Sequence, residues 1–170
     1  MAAVDEEAAE AAAATAQERI RIESRRFGSF EVAASDVFAF ESGLIGFPGL
    51  RRFVLLDHAP GSPFRWMLSL EDPEVGFAVA NPAELIAGYR PPIEDGCRAV
   101  EAAPEDLSLF AILTIPPNPL ETTINLIAPV AVNLRSRCAR QLVLDAAGLS
   151  ARTPLVPAGS ATEGSAGERA

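Results

Sequence analysis

The chain contains no lysine; all 14 of its basic residues are arginine. That removes a Schiff-base lysine, a pyridoxal-phosphate anchor and the phosphate-gripping lysine of a nucleotide-binding loop. There is one histidine, His58, so a metal site built from several histidines cannot form within one chain. A Ser-His-Asp triad would have to recruit His58 from LDHAPGSP, whose turn chemistry makes an exposed histidine the simpler reading. The two cysteines, Cys97 and Cys138, have neither CxxC spacing nor a neighbouring histidine, which argues against zinc. They read as reduced, buried thiols. GxSxG, HExxH and GxGxxG do not occur, and the GxxGxxG spacing of Gly43, Gly46 and Gly49 does not fit the dinucleotide fingerprint. No apolar run approaches the ~18 residues needed to span a membrane. The opening MAAVDEEAAEAAAATAQE lacks the basic start and leucine-rich core of a secretion signal. The expectation is a soluble, cytoplasmic protein with no membrane contact and no cofactor.

Positive charge is also scarce. The chain has 23 acidic residues against 14 basic ones, a net charge of −9. Such a field repels phosphates, so direct nucleic-acid binding is disfavoured and a basic protein partner suits better. The arginines still form two groups: Arg19, Arg21, Arg25 and Arg26 near the first strand candidate, and Arg135, Arg137 and Arg140 near the last. On a strand, residues 19, 21 and 25 share one face, which reads as a solvated surface. The sharper alternative, an anion- or RNA-facing patch, lacks interleaved aromatics for base stacking. Glu71 and Asp72 in SLEDPEVGF are adjacent carboxylates ahead of Pro73. They fit a hairpin turn better than a pair of acids flanking a glycosidic bond.

Prolines and glycines, 14 and 12 of 170 residues, punctuate the rest and argue against long helices. Residues 1–18 are Ala/Glu low complexity and are expected to be disordered, as is the polar tail 158–170; the folded domain is placed at 19–157. Within it the hydrophobic period is two. RIRIES, FGSFEV, SDVFAFES, RFVLLD, FRWMLSL, VGFAVA, LFAILTI, TTINLIA, VAVNL and RQLVLD read as strands. A series of about ten at hairpin spacing predicts a mainly all-β domain, an antiparallel barrel or sandwich. NPAELIAGY starts like a short helix and APEDLSLF has room for one turn.

One loop stands out. FESGLIGFPGLRRF, residues 40–53, has three glycines and a proline, yet carries Leu44, Ile45, Phe47 and Leu50 where polar side chains would suffice. Either these residues plug one end of a barrel, or they stay outward as a partner patch.

Four segments, FESGLIGFPGL at 40–50, SLEDPEVGFAVANP at 69–82, TTINLIAPVAVN at 122–133 and RQLVLDAAGLSAR at 140–152, together resemble the flagellar assembly factor FliW family in order and spacing. The resemblance covers nearly all of residues 20–155. Its most specific mark is TINLIAP, with Asn125 and Pro129; next is ESGLIGFPG, with Gly43, Gly46, Pro48 and Gly49. Leu149 departs from the pattern, standing where an aromatic residue is expected before the serine. The resemblance implies a small, antiparallel, closed β-barrel-like domain with one or two short helices. It implies a cytoplasmic protein with no enzymatic activity, no cofactor and no metal. It also implies two protein partners, flagellin and the RNA-binding translational repressor CsrA. Bound to CsrA, such a protein stops repression of flagellin mRNA, and new flagellin competes for it. A monomer is expected.

Partner-facing candidates are Glu41, Leu44, Ile45 and Phe47 on the apolar loop and Glu71, Asp72 and Glu74 on the acidic turn. Gly43, Gly46, Pro48, Gly49, Pro73, Asn125 and Pro129 are expected to shape the backbone. For Asn125 the expected role is to cap backbone groups at a bulge or turn. The rival readings are a chaperone for flagellin alone, an RNA-binding barrel using the arginines, a small-ligand barrel with an interior cavity, and an unrecognised hydrolase.

Overall fold

The computed structural model describes residues 18–145 and 148–155. The segments expected to be disordered, 1–18 up to Gln17 and 158–170, lie outside the described residues. Eleven strands and two α-helices follow in order: β1 (Arg19–Ser24), β2 (Gly28–Ala33), β3 (Phe38–Phe40), β4 (Arg52–Asp57), β5 (Phe64–Ser69), β6 (Gly76–Ala80), α1 (Pro82–Leu85), α2 (Ile93–Val100), β7 (Leu107–Thr114), β8 (Thr123–Ile124), β9 (Val130–Asn133), β10 (Cys138–Gln141) and β11 (Thr153–Pro154). No helix among the described residues is long and apolar enough to cross a membrane.

Seven strands close on themselves in the order β3-β4-β5-β6-β7-β9-β10 and back to β3. Every pairing in this barrel is antiparallel except one. β10 runs parallel to β3, with Cys138 opposite Ala39 and Ala139 opposite Phe40. The period-two reading left an antiparallel barrel or sandwich open; the chain forms the barrel, and this one pairing departs from antiparallel. The parallel seam arises because β10 follows β9 by a tight turn, and that fixes its direction against β3. Two short strands, β8 and β11, extend the sheet from the far end of β7.

Alternation of side chains across the pleat explains what lies where. Phe38, Phe40, Phe53, Met67, Val79, Phe110, Val130 and Val132 point inward and pack as one cluster. Phe53 is fully buried, a contribution of about 1.5–3 kcal/mol for a side chain of this kind. The Phe40 and Phe53 rings meet edge to face at 5.0 Å. The space bounded by Phe38, Phe40, Phe53, Met67 and Phe110 has no room for a water molecule, so the barrel is a packed core and not a ligand cavity.

The alternate residues face outward and are covered in turn. The β1–β2 hairpin lays Ile22 and Val32 over Val54 and Leu68. Helix α2 brings Val100 against Leu109, Ala131 and Leu142. The segment around α1 covers Ala78, Ala80, Ala111 and Leu113 together with Ile124 and Leu126.

Several expectations shift. Helix α2 was not anticipated, because PPIEDGCRAV has two prolines before it and a glycine inside it. The prolines sit at its start, where no intrahelical N–H is needed. Glu94 and Asp95 lie in its first turn and Arg98 in its last, which suits the helix dipole. Gly96 is there for contact: a β-carbon would sit 3.0 Å from Leu107 Cδ2, so the helix rides directly on β7.

Helix α1 is only the first turn of NPAELIAGY, capped by the Asn81 side chain accepting from Ala83 N–H at 3.0 Å. In TTINLIA only Thr123 and Ile124 are strand, and RQLVLD leaves the ladder after Gln141. The cysteines were expected to be buried. Cys97 is half-buried and Cys138 is exposed, because Ala139 is the inward residue of β10 and alternation turns Cys138 out.

Candidate functional site

The loop of residues 41–51 joins β3 to β4 across one end of the barrel. Gly43 must be glycine on two counts: its φ is 69°, and a β-carbon would lie 2.7 Å from the Pro48 carbonyl oxygen. Gly46 likewise has φ 86°. With those two reversals the loop doubles back on itself. Phe47 N–H donates to the Leu44 carbonyl at 2.8 Å, and Leu50 N–H donates to the Phe47 carbonyl at 3.1 Å.

This geometry sorts the loop's apolar residues. Leu44 is 2 % exposed and belongs to the barrel's inner cluster, with Leu50 half-buried against it. Leu44 is therefore a plug and offers no surface to a partner. Ile45 and Phe47, at 59 % and 41 % exposure, point the other way. One edge of Phe47 rests on Phe77 of β6, ring centroids 5.4 Å apart, which holds the ring in place while leaving part of it open. Glu41 is exposed at the start of the loop. One loop thus carries both a residue that plugs the barrel and residues that stay outward.

The loop is held from outside by a residue the sequence reading passed over. Ile45 N–H donates to the Gln141 side-chain oxygen at 3.0 Å, and the other end of that amide donates to the Ala128 carbonyl at 3.1 Å. Gln141 ends β10 on the same parity as the inward Ala139 and is half-buried, and nothing in the pattern of RQLVLD singles it out.

The acidic turn between β5 and β6 sits at the same barrel end. Glu71 accepts hydrogen bonds from Arg51 N–H (3.2 Å), Arg52 N–H (3.0 Å) and the Arg52 guanidinium (3.0 Å). Partial burial pushes its pKa up. The hydrogen bonds from the Arg52 backbone and side chain, from its own N–H and from Arg51 N–H outweigh that, holding the carboxyl below its ordinary 4.5. Asp72 accepts from Glu74 N–H at 3.1 Å, shaping the turn around Pro73. Glu74 accepts from Arg25 N–H at 2.7 Å, pinning the β1–β2 hairpin. All three acids are exposed at this end and each is also tied to backbone.

Two asparagines organise the neighbouring turns. The Asn125 side-chain oxygen accepts from Ile127 N–H and Ala128 N–H, both at 3.1 Å, which carries the chain around to Pro129 and β9. Asn133 was not singled out from the sequence. It is 5 % exposed and fully employed, donating to the Val100 and Glu101 carbonyls (3.1 and 3.3 Å) and accepting from Arg135 N–H and Ser136 N–H (2.9 and 3.1 Å). It fastens the end of α2, where Glu101 takes a left-handed φ of 50°, to the end of β9. Pattern reading cannot find such a residue, because its partners come from a helix that the pattern did not show. Among the described residues no three His, Cys, Asp or Glu side chains gather as metal ligands, and His58 is exposed.

Known proteins share this architecture. A family model described as FliW protein matches residues 21–155. The flagellar assembly factor FliW of Bdellovibrio bacteriovorus is 40 % identical over 136 residues, 79 % of this chain and 78 % of that protein. The protein of the same name from Carboxydothermus hydrogenoformans is 36 % identical over 129 residues, 75 % of this chain and 84 % of that one. A crystal structure of the flagellar assembly factor FliW superposes with a TM-score of 0.73 at 27 % identity, covering 81 % of this chain and 98 % of the other.

Proposed function

The chain belongs to the FliW family of flagellar assembly factors, and from that premise we propose that it is a non-enzymatic, cytoplasmic factor that binds flagellin and antagonises the translational repressor CsrA. Flagellin synthesis would then be set by exchange of one partner for the other. The observation that carries this reading is the division of labour in the loop of residues 41–51: Leu44 closes the barrel while Ile45 and Phe47 are held outward beside an acidic turn. Exposed apolar side chains fixed on a rigid loop are what a modest, reversible protein interface needs.

In this proposal Ile45 and Phe47 are the apolar anchors. Glu41, Glu71, Asp72 and Glu74 supply the negative rim. A protein with net charge −9 docked on a basic, RNA-binding partner repels RNA by its field, even without covering the RNA surface. Antagonism therefore does not require the two ligands to share a site.

The test is co-purification of the tagged chain with flagellin and with CsrA, followed by a mobility-shift assay on flagellin-leader RNA. The proposal predicts no shift by this chain alone and loss of the CsrA shift when it is added. Capture of flagellin without any effect on CsrA would reduce the protein to a flagellin chaperone. A shift by the chain alone would make it an RNA-binding barrel. Ile45→Ala combined with Phe47→Ala should weaken partner binding at an unchanged unfolding midpoint.

A further inference from the structure

The parallel seam is short: Cys138 opposite Ala39 and Ala139 opposite Phe40. Beyond it β3 turns away. Gly43 N–H donates to the Phe40 carbonyl at 3.2 Å, and the chain folds back into the loop of residues 41–51. The other side of the seam does not turn. β10 pairs with β9 up to Gln141, opposite Val130. There the regular ladder stops, because Pro129 has no N–H to give, but two bonds keep the chain alongside. Leu142 N–H donates to the Pro129 carbonyl and Leu144 N–H to the Ile127 carbonyl, both at 2.8 Å. These alternate bonds carry the extended run past the point where β3 leaves it.

Alternation fixes where the backbone groups of that run point. Leu142 and Leu144 bond toward residues 127–129. Odd-numbered residues point to the β3 side, where the Arg137 carbonyl accepts from Ala39 N–H at 2.8 Å. Val143 has this second parity, and β3 has ended before reaching it. Among the described residues the Val143 N–H and carbonyl have no hydrogen-bond partner. Val143 is also 73 % exposed, the most open of the large apolar residues described. Its side chain lies on the same side as that of Gln141, whose amide holds Ile45 N–H.

A bare strand edge offers donors and acceptors at ladder spacing, which an extended chain matches and a helix does not. The outer edge of β11 is blunted by Pro154; the edge at Val143 has no such guard. Charge narrows the occupant further. Asp145, exposed, shares the parity of Val143, and Glu71, Asp72 and Glu74 stand at the same barrel end. Arg140, the one cation between Cys138 and Asp145, has the other parity and lines the α2 side with Cys138. An incoming basic strand is therefore favoured.

We infer that the edge at Gln141–Val143 takes up an extended segment of the basic, RNA-binding partner, which joins β10 as an added strand and packs an apolar side chain on Val143. This rests on the proposed function, which puts that partner at Ile45 and Phe47. It adds a main-chain contact that fixes the register of the incoming chain, with the apolar side chains selecting its sequence.

The test is residue-resolved amide hydrogen exchange on the chain alone and saturated with purified CsrA. Val143 N–H should exchange freely in the chain alone and at least about tenfold more slowly in the complex, while Leu142 and Leu144 are protected in both. A complex in which Val143 exchanges as in the free chain overturns this inference and leaves the proposed partner standing. Failure to form any complex with CsrA overturns both. Slow exchange at Val143 in the dilute free chain overturns it by showing the edge already paired. Protection that grows with chain concentration, or that comes from flagellin and not CsrA, gives the edge to another occupant and also overturns it.

Val143→Pro gives a second readout. It removes the outward N–H and leaves the Leu142 and Leu144 bonds in place, and proline is tolerated where the N–H faces solvent. Affinity for CsrA should fall about tenfold or more at an unchanged unfolding midpoint. Val143→Ala, which keeps the N–H, should weaken binding less and retain the protection of residue 143. Full affinity in a folded Val143→Pro chain would count against strand addition.

Discussion

Gln141 and Ile45 lie 96 positions apart and are joined by one hydrogen bond, from the Ile45 N–H to the Gln141 side-chain oxygen at 3.0 Å. The same amide reaches Ala128 on its other side, so it sets the loop of residues 41–51 against the turn that Asn125 builds. Gln141→Leu removes both bonds. Because the Ile45 end is open to water, the expected loss of stability is only about 1 kcal/mol. Partner affinity should fall further than that, since Ile45 would no longer be held. Urea unfolding and a binding titration on the same variant separate the two effects.

Adjacent residues of the loop should respond in opposite ways. Leu44→Ala empties a plug in the barrel core and should cost about 2–4 kcal/mol. Ile45→Ala removes an exposed side chain and should change stability by less than about 0.5 kcal/mol. Partner binding should be more sensitive to Ile45→Ala than to Leu44→Ala measured well below its midpoint. Equal destabilisation by the two would show that Ile45 is packed.

Glu71 gives a pH signature. Its folded-state pKa is lowered from 4.5, so its contribution is fully present above the unfolded value and is lost as pH falls through the folded value. The wild type should exceed Glu71→Gln by about 1 kcal/mol at neutral pH, a figure kept small by the exposure of Arg52. That gap should stay constant down to about pH 5 and close below it. Denaturant midpoints across pH 3–7 for both proteins test this. A gap independent of pH would remove the carboxylate from the account.

Asn133 should be the costliest polar substitution in the fold. Asn133→Ala leaves two carbonyls and two N–H groups without their buried partner, and about 2–4 kcal/mol is expected. Asn133→Asp should do no better, because it turns an acceptor toward the Val100 and Glu101 carbonyls. Hydrogen exchange should rise first in α2, whose end this side chain holds.

The barrel's wall was legible because alternation is a local property. VFAF, RFVLLD, FRWML and GFAVA each carry their own inside and outside, and the structure uses them in that sense. What was not legible depends on partners far along the chain. Helix α2 was not singled out, and its Gly96 makes sense only with β7 in place to press against it. Leu44 and Ile45 are neighbours of similar chemistry, and only the reversals at Gly43 and Gly46 send one in and the other out. Cys138 was misplaced as buried because composition gives a residue type's average and not its parity on a strand.

The parallel seam between β3 and β10 has a consequence for how the protein is made. Ala39 leaves the ribosome early, whereas its neighbour across the seam, Cys138, emerges only after almost the whole barrel has been synthesised. The β4–β5–β6 hairpins can form as they appear, but the ring cannot shut until the last strands arrive. Such distant pairing is slow. Until it forms, β3 presents an open edge and the nascent barrel holds Phe38, Phe40 and Phe53 without a lid.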